Sequence, residues 1–198
     1  GTFIQASTFL KHLNPSALRY YYASRLSSKV EDIDLNLEDF RMKVNTDLIG
    51  KVINLASRSA KFISKTGLSS TYPDDGGLFK EAAEMSESIA ENYENGDFSH
   101  AMRKIIELAD KANPFVENSA PWELNKDPGK QDELQDVCTI ALNLFRQLVI
   151  YLTPVLPSIS EKTEELFGEK ITSWEQAKTP LTGIKINKFK HMMARIDI

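Results

Sequence analysis

"NLEDFRMKVNTDLIGKVINLASRSAKFISK", residues 36–65, is the stretch that decides the fold. It contains no proline, and Asn36 followed by Asp39 is an acidic variant of the helix capping box. When its residues are placed at about 100° intervals around a helix, the apolar ones share about half of the circumference. These are Val44, Leu48, Ile49, Val52, Ile53, Leu55, Ala56, Ala60, Phe62 and Ile63. The stretch predicts one long helix, from Asn36 to about Lys65, with its apolar face against a core.

The opposite side of this helix carries a stripe of cations. Its members fall within a sector of roughly 80°, and only Asp47 interrupts them. A charged stripe is usually a solvated face, but such a face normally mixes signs so that residues four apart can pair. Arginine and asparagine can read base edges, and lysines attract phosphates, so the stripe suits RNA. The stripe consists of Lys43, Lys51, Asn54, Arg58, Lys61 and Lys65.

Helical patterns also fill most of the chain on either side of this stretch. They cover residues 6–12, 15–27, 78–94, 97–118 and 131–152, and a last one ends near Gly168. Asp97 is expected to cap the helix that it precedes. The strand candidates are the alternating residues of 28–36 and "GIKINKF" at 183–189. We expect an all-α helical bundle over residues 36–198, with residues 1–35 as a smaller mixed α/β appendage.

Composition limits the possible functions. The net charge of −4 argues against indiscriminate nucleic-acid binding, so any RNA-binding role must depend on a local patch. No apolar run is long enough to span a bilayer, which predicts a cytoplasmic protein without a membrane partner. Cys138 is the single cysteine, so an internal disulfide and a CxxC zinc knuckle are excluded. Its apolar neighbours predict a buried, inert thiol.

The residues alone indicate no catalytic or metal site. The three histidines are far apart in the sequence, and the acids of residues 31–34 flank a turn with no base nearby. Trp122, in "SAPWELNK" at residues 119–126, directly follows a proline at a helix break. A tryptophan at such a break is either a plug of the core or a platform for a ligand. Because most tryptophans are largely buried, the residues alone favour the plug.

Three motifs carry a resemblance to a known family. They are "LRYYYASRLSSKVEDIDLNLEDFRMKVNTDLIGKVINLASRSAKFI" at residues 18–63, "NPFVENSAPWELNK" at 113–126 and "LFRQLVIYLTPVLP" at 144–157. Together they resemble the segment that follows the catalytic domain in bacterial methionyl-tRNA synthetases. In that family an all-helical domain binds the anticodon arm of tRNA(Met). The opening "GTFI" resembles the residues just after the family's KMSKS loop, so we expect a piece of a longer protein.

The resemblance implies a role for four residues. Asn54 and Arg58 of "NLASR" match the family's anticodon-reading pair, and Trp122 of "APW" matches the aromatic residue that stacks on an anticodon base. Pro121 would fix the backbone beside this platform. With the resemblance, the platform is favoured over the plug. Whether lysines of the stripe contact phosphates or only water stays open.

The resemblance also implies the partners. The parent enzyme would be a ligase that uses ATP, methionine and Mg²⁺, whereas this piece carries neither the HIGH-type nor the KMSKS-type signature and should bind no cofactor and catalyse nothing. Its partners would be the CAU-bearing stem-loop of tRNA(Met) and the catalytic domain of its own parent chain. Residues 1–35 would be the remnant of the region that connects the two domains. We expect this piece to be monomeric.

Two alternatives belong to other classes. A helical scaffold that binds proteins and not RNA is favoured by the acidic charge balance. A free-standing enzyme would require a pocket with perturbed titratable groups, of which the sequence gives no sign. Salt-dependent binding to an anticodon stem-loop would distinguish the RNA-binding hypothesis from the scaffold, because phosphate contacts weaken as salt is added.

Overall fold

The computed structural model describes residues 14–197, and within this range the chain forms helices and no strand. The helices are α1 Pro15–Ala23, α2 Leu37–Lys43, α3 Asn54–Ser57, α4 Leu78–Glu84, α5 Ser86–Glu94, α6 Phe98–Ser119, α7 Pro121–Leu124, α8 Gln131–Leu152 and α9 Pro157–Phe167. A π-helical segment, Val44–Ile53, joins α2 to α3, and 3₁₀ turns lie at Ala60–Ile63, Pro128–Lys130 and Trp174–Lys178. The all-α prediction is confirmed. The helix predicted at residues 6–12 lies outside the described residues.

Helix α8 is the centre of the bundle. Every residue from Val137 to Leu152 is buried, and α3, α4, α6, α7 and α9 pack around it. Two of its buried side chains bond to the surrounding segments: Asn143 accepts a hydrogen bond from the Leu181 N–H at 2.7 Å, and the Gln147 amide nitrogen donates to the Phe79 carbonyl at 3.0 Å. None of the helices within residues 14–197 has both the length and the apolar character that crossing a membrane requires.

The long helix, residues 37–57, comprises α2, the π-helical segment and α3. It begins as predicted, with the Asn36 side chain accepting a hydrogen bond from the Asp39 N–H at 2.9 Å. The predicted end near Lys65 is wrong, because Ser59 leaves the helical conformation. Serine side chains compete for backbone groups, and the Ser57 hydroxyl donates to the Asn54 carbonyl at 3.4 Å. The predicted core face is confirmed: all its residues are buried except Ile49 and Phe62, which are partly buried.

Other helices differ from the prediction mainly at their ends. Helix α1 stops at Ala23, and the helix predicted over 78–94 divides at Met85 into α4 and α5. Asp97 precedes α6 as predicted, but its carboxylate does not accept a backbone N–H and instead pairs with His100 Nδ1 at 2.5 Å. Helix α9 ends at Phe167, followed by Gly168 in the left-handed conformation (φ 66°), so the predicted end near Gly168 is confirmed.

Both strand candidates are wrong within the described residues. Residues 183–189 form neither helix nor strand. The Leu68 N–H donates to the Ile184 carbonyl and the Gly183 N–H donates to the Ser69 carbonyl, and the Asn187 N–H donates to the Leu166 carbonyl of α9, all at 2.8 Å. Residues 28–36 form no strand either. An extended segment forms a sheet only when another strand continues the hydrogen-bond ladder, and none of residues 14–197 supplies one.

The C-terminal strap, residues 181–197, continues across the bundle to the long helix. The Asn45 side chain donates to the Ile196 carbonyl at 2.9 Å and accepts from the Ile196 N–H at 2.8 Å. At the other end of the described chain, α1 packs against α2, α6, α9 and the π-helical segment. The boundary predicted between residues 35 and 36 stays a prediction.

Candidate functional site

Asn54 and Arg58 line a groove between the long helix and α6, and Trp122 lies against Arg58. The groove is open and has a volume of about 510 Å³. Arg58 lies on the long-helix side, and its guanidinium carbon is 4.1 Å from the centre of the Trp122 ring. The fold therefore brings together two motifs that are far apart in the sequence. The groove is lined by Gly50, Lys51, Asn54, Arg58, Asp110, Asn113, Pro114, Glu117 and Asn118.

Trp122 is half-buried in the first turn of α7. It packs against the core on one side and lies under Arg58 on the other. Pro121 is the first residue of α7 and is buried, which fixes the backbone directly before the indole. Among residues 14–197 the indole N–H has no hydrogen-bond partner. Trp122 is therefore not enclosed in the core.

Ala120 makes the sharp turn that directs Trp122 toward Arg58. It ends α6 and precedes α7 with φ 45° and ψ 65°, and it is the only non-glycine residue with positive φ in the described chain. Its N–H donates to the Val116 carbonyl at 3.0 Å, and its carbonyl accepts from the Glu123 N–H at 2.9 Å. A left-handed alanine costs roughly 1–2 kcal/mol, so this turn is strained and is maintained by its neighbours.

Arg58 is held by two partners at the end of α3. Its Nη2 donates to Glu117 Oε2 at 2.8 Å, while the guanidinium stacks on Trp122. The side chain is 30% exposed, so the ion pair is partly screened by water. A cation over an exposed indole contributes roughly 0.5–1 kcal/mol. The two contacts together fix the direction of the guanidinium.

Asn54 has no such partner. It lies one turn before Arg58 and is partly exposed, and its side-chain amide makes no hydrogen bond to the described chain. An asparagine amide offers both a donor and an acceptor, so this side chain can bond to a polar ligand in the groove.

The groove contains polar residues that the sequence pattern did not reveal. The Asn113 amide of α6 donates to the Lys51 carbonyl at 2.9 Å and joins the two walls. Lys51 pairs with Asp110 at 2.8 Å, and seven positions later on both helices Arg58 pairs with Glu117. The two helices therefore run in the same direction. The sequence did contain a signal for these ion pairs. Two acids of α6 are seven residues apart, as are the two cations of the long helix with which they pair.

The prediction that the cationic stripe lacks partners is wrong for three of its members. Lys43 pairs with Asp47 at 3.2 Å, and Lys51 and Arg58 pair with acids of α6. Asp110 and Glu117 come from a different helix, so the pattern of the long helix cannot show them, whereas Asp47 lies on the long helix itself. Lys61 and Lys65 are exposed and form no ion pair with the described residues.

Asp47 is a buried carboxylate beside the groove. It is 7% exposed and accepts a hydrogen bond from the hydroxyl of Tyr20, which is fully buried, at 2.7 Å. Burial, followed by the charge of Asp47, raises the pKa of the Tyr20 hydroxyl well above its ordinary value of 10.0. In residues 14–197 no three histidine, cysteine or acidic side chains are grouped so that they could hold a metal ion.

Comparisons with known proteins place this geometry in a family. The sequence model described as "Anticodon-binding domain of tRNA ligase" matches residues 75–197, and the one described as "tRNA synthetases class I (M)" matches residues 1–60. Asn54 and Arg58 fall within the match of residues 1–60, and Trp122 falls within the match of residues 75–197.

Curated relatives are similar over essentially the whole chain. A methionine–tRNA ligase of Rhodopirellula baltica is 62% identical over 196 residues, which are 99% of this chain and 29% of that protein. Methionine–tRNA ligase 1 of Sorangium cellulosum is 54% identical over 197 residues, again 29% of its length. The chain thus spans less than a third of these relatives. The crystal structure of the apo methionyl-tRNA synthetase of Mycobacterium tuberculosis has the same fold, with a TM-score of 0.84 at 19% identity, over 99% of this chain and 42% of that one.

Proposed function

The chain belongs to the family of anticodon-binding domains of tRNA ligases, and on this premise we propose that it binds the anticodon arm of tRNA(Met) for a parent methionine–tRNA ligase. The parent enzyme would attach methionine to this tRNA with ATP and Mg²⁺ in its catalytic domain. The triplet recognised is CAU. The piece itself contributes recognition and no catalysis.

The observation that carries the proposal is the stack of Arg58 on Trp122 beside the unpartnered amide of Asn54. Bases of a single-stranded loop can be splayed out and stacked on an aromatic ring, with their edges free for hydrogen bonds. In our proposal Trp122 is the platform for one anticodon base. Asn54 and Arg58 read the edge of that base from the wall of the groove.

The ion pair of Arg58 with Glu117 fits this role. A guanidinium beside a carboxylate presents hydrogen-bond donors and an acceptor next to each other. The pairing edge of cytosine likewise combines acceptor atoms with an amino donor, so the two edges are complementary. Uracil has a carbonyl oxygen where cytosine has the amino group, so a carboxylate placed at that group would face a second acceptor, which disfavours uracil.

The remaining partners follow from the same premise. We place residues 1–35 in the region that connects to the catalytic domain of the parent chain and residues 36–198 in the anticodon-binding domain. The match of residues 1–60 to a class I synthetase model supports a junction in this part of the chain. We further propose that the piece is monomeric and acts in the cytoplasm, where its tRNA partner would be found.

The alternative of a protein-binding helical scaffold has little support in the shape of the surface. The most enclosed apolar cavity found, lined by Leu78, Leu108 and Leu144, holds only about 10 Å³. That volume is about one water molecule, far too small for an apolar helix face. The open groove carries charged residues on both walls, with Lys51 and Arg58 on the long helix and Asp110 and Glu117 on α6.

Titration of the chain with a labelled CAU stem-loop tests the proposal. We expect binding that weakens as salt is added, and Trp122→Ala should raise the Kd roughly 5- to 150-fold, since stacking contributes about 1–3 kcal/mol per base. Trp174→Phe is the matched control, because the Trp174 indole donates to the Ser86 carbonyl elsewhere in the bundle and should not affect RNA binding. Absence of binding, or equal loss in both variants, would contradict the proposal.

A further inference from the structure

Lys51 lies between two carboxylates in the middle of the groove. Its Nζ is 2.8 Å from Asp110 Oδ1 on α6 and 3.9 Å from Asp47 Oδ1, one turn earlier on its own helix. The side chain is 29% exposed, so it is less available to an incoming molecule than Lys61 and Lys65, which are exposed. Its ammonium group already contacts carboxylates, unlike the ammonium group of a lysine that is free to bind a phosphate.

Asp47 depends on its positive neighbours. Its Oδ2 accepts from the Tyr20 hydroxyl at 2.7 Å and lies 3.2 Å from the Lys43 ammonium. A buried carboxylate is costly unless it is paired and hydrogen-bonded. Lys51 is a further partner of Asp47. If Lys51 turned away to bind a phosphate, the buried charge of Asp47 would be less well compensated.

Asp110 depends on Lys51 even more directly. Its carboxylate is 51% exposed in the groove, and Lys51 is its only ion-pair partner in the described chain. The Lys51 carbonyl also accepts a hydrogen bond from Asn113, one turn along α6 from Asp110. Lys51 thus contacts α6 through both its backbone carbonyl and its side-chain ammonium.

From these contacts we infer that Lys51 is a positioning residue of the groove, which neutralises Asp47 and Asp110 and holds α6 in place, and that it is not a phosphate contact. The inference rests on the proposed RNA-binding function. A nucleic-acid backbone brings one negative charge per nucleotide, so an unpaired Asp110 in the groove would repel it. Lys51 acts by removing that repulsion.

A double-mutant cycle separates this role from a phosphate contact. We expect Lys51→Gln to raise the Kd for the CAU stem-loop roughly tenfold in 0.1 M salt, because Asp110 loses its ion-pair partner, whereas Asp47 keeps Lys43 and the Tyr20 hydroxyl. Adding Asp110→Asn should restore the Kd to within about twofold of the unsubstituted chain. If Lys51 instead bound a phosphate, neutralising Asp110 would not restore the lost phosphate contact, and the Kd would stay raised.

Lys61→Gln is the matched control, since it removes one lysine of the same stripe that has no acidic partner in the described chain. Its effect should be the same with and without Asp110→Asn. Failure of Asp110→Asn to rescue Lys51→Gln, or an unchanged Kd in Lys51→Gln, would overturn the inference.

Circular dichroism of each variant makes the folding outcomes informative. If Lys51→Gln unfolds and the double variant folds, the unpaired carboxylate is the cause and the inference stands. If both unfold, neutralisation is not the role and the inference fails. Absence of stem-loop binding by the unsubstituted chain would overturn the proposed function and this inference together, whereas binding without rescue would overturn the inference alone.

Discussion

The guanidinium of Arg58 lies 4.1 Å from the centre of the Trp122 ring, and its Nη2 lies 2.8 Å from Glu117. The same side chain thus covers part of the indole and faces the groove. One side of the indole packs against the core and the other lies under the guanidinium, so a base that stacks on Trp122 would have to displace Arg58 from the ring. In the proposed function, the displaced guanidinium would stay next to the stacked base, where it could recognise the edge of that base.

We expect Asn54→Ala and Arg58→Ala to reduce discrimination between anticodons. Hydrogen-bonding side chains reject a wrong base edge by roughly 1–3 kcal/mol in duplex readout, and we expect a similar magnitude here. The measurement is the ratio of Kd values for CAU and singly altered stem-loops. A uniform loss of affinity with an unchanged ratio would show that these side chains do not read the base.

The strain at Ala120 predicts an unusual response to substitution. Ala120→Gly should leave the free energy of unfolding within about 1 kcal/mol of the original, because relief of strain offsets the added chain entropy. Ala120→Val should destabilise the fold by roughly 1–3 kcal/mol, since a β-branched residue is disfavoured at φ 45°.

Urea denaturation of both variants measures this difference. Ala194→Val, at an exposed alanine without positive φ, is the control and should change stability little. Equal stability of the two Ala120 variants would contradict the assigned turn.

Removing the Tyr20 hydroxyl should destabilise the fold. Tyr20→Phe leaves the buried Asp47 with one donor fewer, which costs roughly 1–3 kcal/mol. Tyr22→Phe is the control, because the Tyr22 hydroxyl makes no hydrogen bond within the described residues. Thermal or urea unfolding near neutral pH compares the two variants.

The raised pKa of Tyr20 adds a pH dependence. The neutral hydroxyl is favoured in the folded state, so its contribution is fully present below the unfolded value of about 10 and is lost as the pH rises through the higher folded value. The stability of the original chain should therefore fall more steeply above pH 10 than that of Tyr20→Phe. Parallel curves for the two proteins would refute this assignment.

Cys138 should be unreactive until the chain unfolds. It is fully buried in α8, and burial raises the pKa of its thiol to about 12, so the reactive thiolate is scarce at pH 8. A thiol reagent should modify it slowly in buffer and rapidly in concentrated urea. Fast reaction in the folded protein would contradict the packing around α8.

The chain should form no aminoacyl-tRNA when methionine, ATP and tRNA(Met) are supplied. The HIGH-type and KMSKS-type signatures of the family are absent from its sequence. The assay measures labelled methionine on acid-precipitated tRNA, with a complete ligase as positive control. Product formed by a chain of verified purity would show that this expectation is wrong.

The sequence correctly predicted the features that depend on local caps and on the periodic burial of apolar residues. Asn36, Gly168 and the apolar face of the long helix agree with the structure because each depends on neighbours within one or two turns. The long helix breaks at Ser59, whose backbone is not helical (φ −123°, ψ −40°), while the pattern of buried residues continues past it through Ala60 and Ile63, so the periodicity does not reveal the break.

The candidate site was only partly predictable for a related reason. Asn54, Arg58 and Trp122 were selected by resemblance to a family, and their proximity became visible only in the fold. The acids that face the stripe, Asp110 and Glu117, belong to another helix, so no pattern within one helix could assign them. Their roles toward RNA stay predictions until binding is measured.

The two hydrogen bonds between Asn45 and Ile196 join residues that are 151 positions apart in the chain. A ribosome adds roughly 5–20 residues per second, so about 8–30 s separate the synthesis of the two residues. During that interval the Asn45 amide lacks the partner that it has in the finished fold, and it can only be hydrated. Asn45 belongs to the π-helical segment that also carries Lys51. The long helix therefore gains this contact only after Ile196 has been synthesised.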